Sequence, residues 1–172
     1  MDTIINKITN YIVKDTDLDY EIINYGVSAI VSTVLCYSMA LLATGILGNL
    51  WFGLLFICFL TPIKMQFLGY HCKTMGQCIC TYSICVGFCL IIYNSLPFSL
   101  GSLYLILFCL TMILIVFLVK EEINHKNSMI LLIYFLLGSV VFHLNIAIFI
   151  ILYIAVSFDF VLLLLKHLKD FK

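Results

Sequence analysis

The sequence predicts an all-α, polytopic membrane protein of about six transmembrane helices, preceded by an amphipathic helix lying in the membrane interface. Three observations carry this expectation. Of the 172 residues, 64% are hydrophobic and only 10% are charged, whereas a soluble domain carries about 25% charged residues. The mean hydropathy is +1.18, and with about 20 apolar residues needed per crossing the length leaves room for roughly six or seven short spans and no sizeable soluble domain. The nine lysines, unaccompanied by arginine, fall at the ends of the apolar runs. With a net charge of zero, the chain lacks the basic face of a nucleic-acid binder; its expected surroundings are the lipid bilayer.

The elements follow in order. Residues 1–14 place Ile4, Ile5, Ile8, Tyr11 and Ile12 on one helical face and Asn6, Lys7, Asn10 and Lys14 on the other, the pattern of an interfacial helix. No cleavable signal is expected, because no short apolar stretch ends at a small-residue site before the first span. Thr16, Asp17 and Asp19 then offer helix caps, with Glu21 in the first turn. Residues 1–172 read as a single transmembrane domain, with spans near 22–46, 50–63, 78–95, 99–119, 129–142 and 145–165. The second and fifth are short for the hydrocarbon thickness. A single helix over residues 129–165 would be roughly 55 Å long, so His143-Leu144-Asn145 reads as a hairpin. Pro97 and Gly101 break the run between the third and fourth spans.

Positive charge near span ends stays cytoplasmic. With the N-terminus inside, the inner segments hold Lys7, Lys14, Lys64, Lys73, Lys120, Lys126, Lys166, Lys169 and Lys172, and the outer connections hold no lysine. This division predicts both termini, and the connection over residues 64–77, on the cytoplasmic side of a cell membrane.

The stretch KMQFLGYHCKTMGQCIC, residues 64–80, carries the candidate chemistry. It gathers two Lys, one His, two Gly and three Cys in a compartment that keeps thiols reduced. A thiolate beside a histidine is a nucleophile with a proton donor for its leaving group. On an unbroken helix His71 and Cys78 would share a face with backbones roughly 10 Å apart, so contact requires a bend, which Lys73, Thr74 and Gly76 make plausible. Cys78 would then open the third span, where the helix dipole and Lys73 favour thiolate. Cys72 diverges from the His71 ring, and Cys80 lies deeper in an apolar helix, where desolvation favours the neutral thiol. Cys78 is the best nucleophile by elimination.

Lys64, Gly69, His71 and Cys78, with His and Cys seven residues apart in a small multi-span chain, resemble the accessory gene regulator B (AgrB) family. The resemblance implies a membrane-embedded cysteine endopeptidase of a Gram-positive bacterium, which processes a small AgrD-like propeptide into a cyclic quorum-sensing signal. It implies His71 and Cys78 as the catalytic pair, Lys64, Gly69 and Lys73 as substrate-binding or supporting residues, and a homodimer as the oligomeric state. The family usually has Arg at the position of Lys64 and often Gly at that of Leu68, and many members carry a Pro-containing loop where this chain has residues 120–128. Lysine keeps the charge and loses the bidentate grip on a carboxylate. No cofactor or metal is required by this reading.

Other readings compete. A zinc or copper site at His71, Cys72, Cys78 and Cys80 is disfavoured because Cys78 and Cys80 point to nearly opposite sides of a helix. A six-span, vitamin-type transport subunit fits the size, but would need a polar cavity facing outward. A membrane thiol oxidoreductase would want paired cysteines on the outer side. Cys85 and Cys89 share a packing stripe with Cys78 and Tyr82, while Cys36, Cys58 and Cys109 read as core residues. Asp159 is an acid inside a span, which defaults to a functional hypothesis; its distance of seven residues from Lys166 makes an interfacial position at least as plausible.

Overall fold

The computed structural model describes residues 2–14, 19–67, 75–119 and 125–170. Among these, every regular element is helical: α1 (Asp2–Val13), α2 (Tyr20–Ile46), α3 (Leu50–Phe67), α4 (Met75–Ser95), a 3-10 turn (Phe98–Leu100), α5 (Gly101–Leu118), α6 (His125–Leu144) and α7 (Ile146–Asp170). Four stretches, α2, α4, α5 with its preceding turn, and α7, are long and apolar enough to cross a membrane, with mean hydropathies of 1.7 to 2.8; α3 and α6 add shorter apolar helices. The chain is an all-α polytopic membrane protein.

Hydrocarbon offers no hydrogen bonds to exposed backbone, so each helix break needs its own partners. Between α2 and α3 the chain turns at Gly48, whose φ of 81° lies in the left-handed region that favours glycine. Gly48 N–H donates to the Gly45 carbonyl, Asn49 N–H to that of Thr44, and the Asn49 side chain accepts from Phe52 N–H at 2.9 Å, capping α3. Asn145 caps α7 similarly, accepting from Ala147 N–H at 2.9 Å and Ile148 N–H at 3.3 Å. Before α5, the Tyr104 hydroxyl donates to the Pro97 carbonyl. Asp19, the one expected cap among the described residues, accepts from Glu21 N–H; Thr16 and Asp17 lie outside them.

Helix directions follow from which residues meet. Tyr37 bonds Thr61 while Thr44 abuts Gly53, so α2 and α3 are antiparallel. Phe52 lies 5.1 Å from Tyr93, and Lys64 lies over Tyr82, so α4 also opposes α3. α5 and α7 run the same way, because Ile146 abuts Gly101 and His167 Nε2 sits 2.7 Å from the Leu118 carbonyl oxygen. α6 returns between them, with Phe142 5.2 Å from Phe149. Each successive helix therefore reverses direction. The tight turns at residues 47–49, 96–100 and 145 gather at one end of the bundle, and every lysine among the described residues lies toward the other.

α7 is the central helix: half of its most apolar window is buried, against 17% to 28% for the other three long spans. It packs on α3, α4, α5 and α6, with Phe149, Ile150, Leu152, Ala155 and Val156 fully enclosed. Lipid tails are as apolar as these side chains, so close van der Waals fit rather than escape from water holds such helices together. Pro62 inside α3 removes the N–H that the Cys58 carbonyl would accept. Neighbouring carbonyls recruit side chains, Ile57 from Thr61 and Phe59 from the Tyr134 hydroxyl of α6.

α1 rests against the start of α2 through Thr9 to Asn24 and Tyr20 to Asn6 hydrogen bonds. Ile5 and Thr9 are buried in that contact, whereas Ile8, Tyr11 and Ile12 remain exposed. An apolar face is thus left at the lysine-bearing end for the membrane interface.

A methyl group on Gly138 would overlap the Phe108 ring, whereas Gly26 has open space. Gly138→Ala should lower stability by about 1–3 kcal/mol, and Gly26→Ala should not lower it; thermal unfolding in detergent distinguishes the two.

Candidate active site

Three helices supply a small cleft at the lysine-bearing end. Lys64 comes from the last turn of α3, Cys78, Thr81, Tyr82 and Cys85 from the start of α4, and Phe158 and Leu162 from α7; the cleft, open on one side, has a volume of about 50 Å³. Cys78, Tyr82 and Cys85 share one helical stripe because their spacing matches the helical repeat. Cys78 is half-buried, whereas Cys80, two residues on, is exposed. Cys78 and, two turns further along α4, the half-buried Cys85 line the cleft, and Cys80 does not.

Tyr82 forms one wall. It is buried, its ring lies 6.1 Å from that of Tyr37, and Lys64 Nζ stands 4.7 Å from its centroid. A cation over a ring face gains about 0.5–1 kcal/mol when exposed and more when desolvated. This places a positive charge in the same cleft as Cys78. Phe56 of α3 packs on Phe158 at 5.9 Å, fixing the α3 and α7 sides against each other.

Of the residues expected from the sequence to form the site, Lys64 and Cys78 come together here. Gly69, His71 and Lys73, with Cys72, lie outside the described residues. The bend expected at Gly76 is not at that position, because α4 already begins at Met75. Glycine is tolerated in a first turn, where its N–H has no partner within the helix. Lys73 and Thr74, the other residues expected to allow the bend, lie outside the described residues.

Asp159, for which the sequence left an intramembrane and an interfacial position both open, lies inside the bundle. It is 1% exposed, and its Oδ2 has no hydrogen-bond partner. Counting back from Lys166 misplaces it, because α7 continues to Asp170 and seven residues of helix set the carboxylate roughly 10 Å below that lysine. Asp159 follows the cleft-lining Phe158 in the sequence and is not itself part of the cleft lining. The available signal was an acid flanked by Phe158 and Phe160 in the most apolar run.

Cys58 also departs from expectation, being exposed rather than in the core; Cys36 and Cys89 are buried and Cys109 is half-buried. Among the described residues, no group of three His, Cys, Asp or Glu side chains is placed to hold a metal ion.

The fold and cleft define a membrane-embedded helical protein with a thiol and an ammonium group gathered at one end of the bundle. Residues 5–165 match the accessory gene regulator B family, and the chain belongs to that family. The family is associated with processing of the AgrD propeptide in agr quorum sensing, as a membrane processing protease, which favours peptide processing over the transport reading. No curated protein and no solved structure matches the chain.

With the protein folded in detergent, iodoacetamide should modify Cys80, near the start of α4, and spare Cys36 and Cys89 until denaturant is added. Peptide mass spectrometry reads each site; rapid modification of Cys36 in the folded protein would contradict the packing described.

Proposed function

We propose that the chain is a cysteine endopeptidase that removes the C-terminal tail of its propeptide and promotes closure of the remaining segment into a ring. The observation that carries this reading is the half-buried Cys78 in the cleft shared with Lys64, in a chain of a propeptide-processing family. Cys78 thiolate attacks the scissile carbonyl carbon, His71 in its protonated form donates to the departing amine, and the C–N bond breaks. The result is a thioester on Cys78 and a released tail. A thiol or hydroxyl side chain of the bound propeptide then attacks the thioester carbonyl, loses its proton, and expels Cys78 as thiolate. A thiolactone or lactone forms without ATP, because the thioester retains the acyl group in activated form.

The lysine-bearing end of the bundle faces the cytoplasm in this proposal, in keeping with the positive-inside rule, and the cell membrane of a Gram-positive bacterium is the proposed location. Gly69 and Lys73 serve with Lys64 to seat the propeptide, and two copies of the chain associate as a homodimer. The exposed apolar face of α1 offers the propeptide, where it has an amphipathic segment of its own, a place beside the cleft at the interface.

Co-expression with the tagged propeptide tests the chemistry. Cys78→Ala and His71→Ala should each abolish tail removal while the protein still accumulates in the membrane. Continued cleavage by Cys78→Ala would overturn the nucleophile assignment, and full activity of His71→Ala would remove the histidine from the pair. Deletion of residues 2–14 should weaken processing more than membrane insertion; unchanged processing would contradict the role given to α1.

A further inference from the structure

The cleft at Cys78 is too small for the residues that flank a scissile bond, and a larger space adjoins it. Between α4, α5 and α7 lies a groove of about 450 Å³, whose lining includes Phe88, Cys89 and Ile92 of α4, Leu107 of α5, and Tyr153 and Phe158 of α7. It is left open because α4 and α5 both pack on α7 but hardly on each other. The lining is apolar almost throughout, and Phe88 and Val161 are exposed at its rim, so the groove opens sideways from the bundle. Phe158 lines both spaces, and Cys85 of the cleft stands one helical turn from Cys89 of the groove. The groove thus begins where the cleft ends, and it follows α4 away from the lysine-bearing end as far as Leu96.

We infer that this groove is a substrate subsite, which receives a bulky apolar side chain of the propeptide, from a residue beside the scissile bond, reaching past Phe158. The inference deepens the proposed function and rests on Cys78 being the nucleophile. Size and polarity separate the occupants. The volume lies within the roughly 300–1,000 Å³ of pockets that hold small ligands. One turn of helix with its side chains, about 10 Å across and 5.4 Å high, would fill it, so it cannot seat a span of a second copy. A lipid tail suits the apolar walls but not the hydroxyl of Ser157, which lines the groove next to Phe158. That hydroxyl is buried and has no hydrogen-bond partner among the described residues, whereas those of Ser83, Ser95 and Thr111 donate to carbonyls of their own helices. With no bond to hold it, the Ser157 hydroxyl is free to turn toward an occupant. A hydrocarbon chain would leave it orphaned, and a peptide carbonyl carried in behind an apolar side chain would satisfy it.

Photo-cross-linking tests occupancy without the chemistry. The full chain carrying Cys78→Ala is co-expressed in the membrane with the tagged propeptide, and a diazirine-bearing leucine analogue replaces either Leu107 or Ile106. The two are neighbours on α5, but Ile106 is 65% exposed and does not line the groove. Illumination should join the propeptide to position 107 and not to position 106. Capture of lipid alone or of a second copy at position 107, or equal capture of the propeptide at both positions, would overturn the inference.

Two variants of the otherwise unaltered chain extend the test to processing. Ser157→Ala removes a hydroxyl that bonds nothing in the free protein, so thermal unfolding in detergent should not fall, while tail removal should slow by about two- to tenfold, the worth of one hydrogen bond. Leu107→Trp fills the groove and should slow tail removal further. Iodoacetamide alkylation of Cys78 should be unchanged in both, because the cleft itself is untouched. Unchanged processing in both variants, or slowing that comes only with altered Cys78 alkylation, would overturn the subsite. The proposed function fails by a different result, continued cleavage by Cys78→Ala. Loss of cleavage in Cys78→Ala without preferred capture at position 107 removes the subsite and leaves the proposed function intact.

Discussion

Satisfying polar groups without water is the constraint on which the rest of this structure depends. In hydrocarbon a free N–H or C=O costs several kcal/mol, so the chain can reverse only where side chains or tight turns close the helix ends. At residues 47–49, 96–100 and 145, a left-handed glycine, asparagine caps and a tyrosine bond to a proline carbonyl meet that need. Because these closures are so short, they leave little room for charged side chains. The scarce polar sequence is consequently directed to the other end, where α3 finishes, α4 begins, and the cleft forms. The site lies where the fold has polar sequence to place.

The cleft also inherits rigidity from this arrangement. Its walls come from three helices rather than from a loop, and one of them is α7, the most buried helix of the bundle. Side chains on packed helices are held in few rotamers, so a thiol and an ammonium group can share a space of about 50 Å³ without wandering apart. The hydrogen-bonded region around Pro62 contributes as well. Thr61 and Tyr134 serve carbonyls there, and α3 continues through the proline far enough to carry Lys64 to the cleft. A helix ending at Pro62 would leave that lysine in the connection.

Much of this organisation was legible because hydrophobic runs and lysines obey simple physical rules. The reversals at Pro97 and Asn145 could be read from the residues that break apolar runs, and the segregation of lysines to one end follows from the alternating helix directions. What could not be read was how deep a residue lies or which way it faces within an all-apolar helix. α3 to α7 have apolar residues all round, so their sequences show no clear inward stripe. That is why Cys58, apolar in every neighbour, turns out exposed, and why Asp159 lies deeper than distance from Lys166 suggests. Helix ends were hidden for a related reason: Gly76 reads as a break, yet the first turn of a helix accepts it. The thiol itself was easier, because Cys78 is set apart from Cys80 by helical rotation alone, and rotation is a property of the sequence.

The size of the cleft bears on why a thioester formed there would end in a ring rather than in hydrolysis. The cleft is small, about 50 Å³, and open on one side. The scissile segment must therefore approach Cys78 from the mouth, since it cannot be enclosed. Once acylated, the sulfur would share the cleft with the Tyr82 ring, Phe158 and Leu162, and with Lys64 and Thr81 as its hydrogen-bonding side chains. A nucleophile on the propeptide is already tethered to the acyl group and needs no such pocket, and tethering of this kind raises effective concentration far above that of a loosely held solvent molecule. The tethered nucleophile favours closure, so in the proposed reaction the choice of product depends on how the propeptide is held against the cleft as much as on the chemistry of its thiol.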